Sequence, residues 1–64
     1  MFQVGEKVRQ HNKDADAFNG VGTVIKVHEM TVHGRLIDVR FERTNRINGI
    51  TRCKTWAIHR VEEK

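Results

Sequence analysis

The clearest alternation along the chain lies at positions 35–43, RLIDVRFER, where Ile37, Val39 and Phe41 are interleaved with Asp38, Arg40 and Glu42. That period of two predicts a strand with one buried and one wet face. Upstream, Gly22-Thr23-Val24-Ile25-Lys26-Val27-His28 carries three β-branched apolar residues and a threonine, a composition that favours a pleated surface. Val24, Ile25 and Val27 cannot all face one way, so a bulge that returns Val24 and Val27 to the same side is expected there. Val4 and Val8 point to a first short strand near residues 7–11, admitted by a bend at Gly5-Glu6. A fourth strand is expected at 50–54, a single 3₁₀ turn at Trp56-Ala57-Ile58 and a last short strand at Arg60-Val61.

Between these runs the chemistry is that of turns. Residues 12–20, NKDADAFNG, read as a loop, because Asn, Asp and Gly supply side-chain-to-backbone turns and positive backbone dihedrals. Phe18 is expected to fold back over a core edge, and Gly20 and Gly22 to let the chain bend hard into the second strand. Residues 30–34 form a turn with His33-Gly34 near its tip. In the polar arm TNRINGI, the pair Asn48-Gly49 signals a hairpin of type I′. No stretch predicts a helix of three turns. Five short strands sharing one apolar face predict an all-β fold, a small five-stranded barrel with a 3₁₀ turn before the last strand.

Length bounds this picture. With 64 residues, 38% of them hydrophobic, the chain is one domain, 1–64, with a core of about ten side chains. No apolar run reaches 18 residues, and no basic-then-apolar leader opens the chain, so neither a membrane span nor a secretory signal is expected. The single cysteine, Cys53, fits a reducing compartment, and a cytoplasmic location is expected. Met1 reads as the start of a complete small protein.

Charge adds a partner. The net charge is +4, yet residues 1–42 are balanced, whereas 43–61 hold Arg43, Arg46, Arg52, Lys54 and Arg60 with no carboxylate. Such a window is expected to meet nucleic-acid phosphates, with Asn45 and Asn48 adding hydrogen bonds and His59 a weaker donor. Arg52 and Lys54 share a face if 51–54 is extended. Aromatic residues are few, and Phe41 and Trp56 are assigned to the core and to its lid, so duplex contact through phosphates is preferred slightly over stacking on single strands. His11, His28, His33, His59 and Cys53 show no spacing of a structural zinc site, although His28 and His33 flank a turn and approach of the two is left open. Cys53 with His59 is the one nucleophile–base pairing, but alternation turns Cys53 inward. No catalytic residue, metal or cofactor is assigned.

The motifs F-N-G-V-G-T-V-I-K-V at 18–27, the leading Gly5 and Val8, V-R-F at 39–41 and W-A-I-H-R-V at 56–61 resemble the SH3-like small barrels, particularly their KOW-like members. That resemblance implies a barrel whose relatives bind RNA, ribosomal elements or transcription machinery. F-Q-V-G-E-K-V-R at 2–9 and the same W-A-I-H-R-V close also resemble, more distantly, the plasmid-type trimethoprim-resistant dihydrofolate reductases, tetrameric barrels around a central pore. Their V-Q-I-Y ligand stretch is replaced by Ile50-Thr51-Arg52-Cys53, so the barrel is implied without the chemistry. The expected function is a small non-enzymatic nucleic-acid-binding module. The alternatives are a protein adaptor that offers the barrel edge or basic arm to an acidic protein surface, and, ranked third, an oligomeric reductase-like enzyme. Oligomeric state stays open.

Overall fold

A computed structural model describes residues 2–43 and 49–61. Five strands, β1 (Lys7–Gln10), β2 (Gly22–Val27), β3 (Leu36–Phe41), β4 (Ile50–Lys54) and β5 (Ile58–Arg60), form one antiparallel sheet in the order β4-β3-β2-β1-β5. Between β1 and β2 lies a helix, α1 (Lys13–Asn19), and a 3₁₀ turn, Thr55–Ala57, joins β4 to β5.

That short joint dictates the shape of the sheet. Strands lie about 4.8 Å apart, so a flat arrangement would separate β4 from β5 by about 19 Å. Three residues wound at about 2 Å rise per residue cannot bridge that gap. The sheet therefore coils until its two edges approach, although β4 and β5 share no ladder among the described residues.

The core fills the inside of the coil: Val8, Val24, Ile37, Val39, Phe41, Cys53 and Ile58 are buried, with Phe2 and Val27 packed against them. Each fully buried aliphatic or aromatic side chain contributes about 1.5–3 kcal/mol. Register explains the selection. Val24 faces Val39, Val27 faces Ile37 and Ile37 faces Cys53, while the pairing slips between Val24 and Lys26. The expected bulge is present, and it restores Val27 to the inner side after Ile25 has broken the alternation. Gly22 serves packing. A Cβ there would stand 2.3 Å from Val39 Cγ1 and 2.8 Å from Phe41 Cδ1, so only glycine leaves room for Val39 and Phe41 against β2. The bend itself belongs to Gly20, at φ +74°.

Two expectations fail here. Residues 13–19 are a helix and not a loop. Asn12 caps it, its Oδ1 accepting from the backbone N–H groups of Asp14 and Ala15 at 3.0 Å each. Asp14 and Asp16 lie in the first turn, where the exposed N–H groups favour negative charge. The helix buries no residue completely, so it leaves no apolar periodicity to read. It docks through polar contacts instead: Arg9 Nε donates to Asp16 Oδ1 at 3.0 Å, and Asn19 Nδ2 donates to Gln10 Oε1 at 2.8 Å. Phe18, expected over the core edge, is 64% exposed, because the helix turns it away from the sheet that a loop would have let it reach.

Candidate nucleic-acid interface

The outer surface of the coil is built by the same registers as the core. Across β2, β3 and β4 run two outward rows, Thr23–Arg40–Ile50 and Lys26–Asp38–Arg52, followed by the pair Leu36–Lys54. Lys26, Arg40, Arg52 and Lys54 are all exposed on this face. The carboxylate of Asp38 lies among them, with its side chain only 14% exposed.

Asp38 organises the centre of the face. Arg52 Nε donates to its Oδ1 at 3.1 Å, and His28 Nε2 lies 3.0 Å from its Oδ2. Burial pushes the Asp38 carboxyl up, but His28 and Arg52 together outweigh it and leave the group below the ordinary carboxylate range. Asp38 is thus ionised at neutral pH and fixes the Arg52 guanidinium on the surface, where 59% of that side chain meets solvent.

Lys54 continues the row and reaches a second kind of group. Its Nζ stands 5.7 Å from the centroid of the Trp56 ring, a cation–π distance. Trp56 was expected as a lid on the core. It is 74% exposed, because the 3₁₀ turn lifts it off the coil while Ile58 covers the core in its place. An indole plane therefore stands in solvent beside an ammonium group, at the end of a cationic strand.

The expected binding residues are distributed unevenly. Arg52 and Lys54 do share one face of an extended β4. Arg43 sits beyond β3 against α1, its Nη1 at 3.4 Å from the Ala17 carbonyl oxygen and its Nε at 3.9 Å from Glu42 Oε1. Arg60 stands across from Val8 at the far edge of the sheet, on the inner side of the ladder, where it pairs with Glu6 and lies over the Phe2 ring at 4.9 Å. The Arg60 hydrogen bond holds the Glu6 carboxyl below its ordinary value. Asn45, Arg46 and Asn48, like Ile47, fall outside the described residues.

Two cations of this face, Lys26 and Arg40, lie in the charge-balanced part of the sequence and escape a count by window. The alternation of β3 already turns Arg40 outward; Lys26 needs the bulge to set its phase. Cys53 is buried, with its Sγ 3.7 Å from the Thr51 carbonyl oxygen. His28 meets Asp38 and His11 stacks on His59 with ring centroids 4.7 Å apart. No cluster of three or more potential metal-ligating side chains occurs among the described residues, and none of their helices is long and apolar enough to cross a membrane.

Comparison with known proteins gives no match to a protein-family model, a curated protein or a solved structure.

Proposed function

We propose that the coiled sheet is a small SH3-like barrel and that it works as a non-enzymatic nucleic-acid-binding module, with the outer face of β2–β4 as its binding surface. Lys26, Arg40, Arg52 and Lys54 contact phosphates, and Trp56 stacks a base. The single observation that carries this reading is the exposed Trp56 ring beside Lys54. Cationic grooves with aromatic platforms suit single strands, whose bases offer free π-faces. That shifts the preferred partner from duplex to single-stranded nucleic acid.

Trp56 is the sole tryptophan and the chain has no tyrosine, so intrinsic emission reports on this one position. Titration with single-stranded DNA, the matching duplex and single-stranded RNA, at about 50 and about 200 mM salt, tests the proposal. Quenching by single strands, with affinity dropping steeply as salt rises, is the expected result. Absence of quenching at low salt, or binding indifferent to salt, counts decisively against it.

A second reading is favoured by the outer edge of β4, which among the described residues pairs only with β3. Such an edge accepts a strand from a partner, and an acidic peptide would meet Arg52 and Lys54 as it docked. Binding to acidic peptides in place of oligonucleotides selects this adaptor reading.

A further inference from the structure

A cleft of about 310 Å³ opens at the end of the coil where β2 turns into β3 and β4 enters the 3₁₀ turn; Phe2, Met30, Arg35, Ile37 and Thr55 line it. We infer that this cleft takes one unstacked nucleobase of a bound single strand, with the Arg35 guanidinium on the phosphate of the same nucleotide. The inference rests on the function proposed above and adds a pocket to that surface.

Three observations converge on this occupant. The first is size: the volume is at the lower limit for ligand pockets, suited to a single small ring system and too small for a dinucleotide or a flavin. The second is chemistry. Phe2, Met30 and Ile37 give apolar walls for a flat ring, and the thioether of Met30 adapts to irregular shapes. The Thr55 hydroxyl can donate to or accept from a base edge. Arg35 places one positive charge on the wall, complementary to an anion attached to the ring. The third is continuity. Thr55 is the neighbour of Trp56, and Leu36, the neighbour of Arg35, lies across from Lys54 in the β3–β4 register. A strand stacked on Trp56 and held by Lys54 therefore passes the mouth of the cleft.

The wall itself can adapt. Met30 is 64% exposed, whereas Ile37 at the floor is fully buried. A ring entering the cleft covers the first and rests on the second. Both carry methyl groups whose NMR shifts respond to an aromatic ring above them, and neither shift depends on Trp56 emission.

The test uses the full chain with methyl-labelled Ile and Met, titrated with a single-stranded oligonucleotide of about eight residues, with decanoate as a second probe. Binding of the oligonucleotide should shift the Ile37 and Met30 methyl resonances upfield together with Trp56 quenching. Arg35→Gln should weaken the oligonucleotide by about tenfold, the loss expected for one hydrogen bond to a charged group. Met30→Ala, at an exposed position, should weaken it without changing the melting temperature. Quenching of Trp56 with unmoved Ile37 and Met30 methyls overturns the cleft inference and leaves the outer-face reading standing. Methyl shifts with decanoate but not with oligonucleotide overturn it in favour of an apolar carboxylate. Neither quenching nor shifts with the oligonucleotide rejects both readings.

Discussion

Arg52 Nε donates a hydrogen bond of 3.1 Å to Asp38 Oδ1 across the β3–β4 ladder. The acid-free window of the sequence is thus not free of acid in space, since the fold brings a carboxylate from β3 under a guanidinium of β4. The pair acts in two directions. It orders Arg52 for contact with an anion, and it places a negative charge in the middle of the surface that would receive one.

Asp38→Asn should therefore tighten oligonucleotide binding while loosening the fold. One unit charge at ~7 Å in water repels a phosphate by roughly 0.6 kcal/mol, which corresponds to about threefold in affinity at low salt. The Asp38 side chain is largely buried and holds both Arg52 and His28, so its neutralisation should cost about 1–3 kcal/mol in urea unfolding. Tighter binding at unchanged salt slope checks the first effect; weaker binding would mean that ordering of Arg52 outweighs the repulsion.

The same carboxyl gives a pH signature. Its folded value lies below the ordinary 3.8, so the stability it contributes is present above that pH and is lost as pH falls through the lower folded value. Glu6 and Asp16 shift in the same direction, through hydrogen bonds from Arg60 and Arg9. Stability should accordingly hold from neutral pH down to the ordinary carboxyl range and drop below it. Asp38→Asn should flatten that acid limb, which circular dichroism at stepped pH would read.

Gly22→Ala should be among the most damaging small substitutions. The added methyl has no room between Val39 and Phe41, and overpacking of this kind costs about 1–3 kcal/mol. The urea midpoint should fall, and Phe41→Leu in the same chain should recover part of the loss by vacating the space above β2.

Asn12→Ala removes the cap of α1 and should cost about 1 kcal/mol. Because α1 is docked on β1 by Arg9–Asp16 and Asn19–Gln10 contacts and none of its own residues is buried, oligonucleotide binding at the β2–β4 face should be unchanged. Amide exchange should speed up at Asp14 and Ala15 before it does in the strands.

Arg52→Ala and Lys54→Ala should each weaken binding and reduce the salt slope by about one. Arg60→Ala should cost less than either and leave the salt slope nearly unchanged, because Arg60 is paired with Glu6 and meets the cleft only through the Phe2 ring. An equal loss from all three variants would place the contact surface elsewhere.

Much of the strand framework was legible from pattern. Period two in β3, the broken alternation around Ile25 and the inward phase of Cys53 each translate directly into a face, since successive strand side chains must point to opposite sides. The helix escaped for the complementary reason: α1 buries nothing fully, so no apolar period marks it, although the cap residue Asn12 and the first-turn acids Asp14 and Asp16 were visible signals. Of the candidate site, Arg52 and Lys54 were readable because their shared face follows from extension alone. Lys26 and Arg40 join them only through the register of β2, β3 and β4, and the exposure of Trp56 is set by the 3₁₀ turn, neither of which alternation reveals.

By itself, then, the order of residues determined the first four strands, their inner faces and the bulge in β2, which follow from local sterics and alternation, whereas the last strand begins at Ile58, a residue expected in the 3₁₀ turn. The tertiary structure alone decided which charges meet. Arg60 finds Glu6 from 54 positions away and Arg52 finds Asp38 from 14, because coiling of the sheet and ladder register, not sequence proximity, set the distances over which charges act.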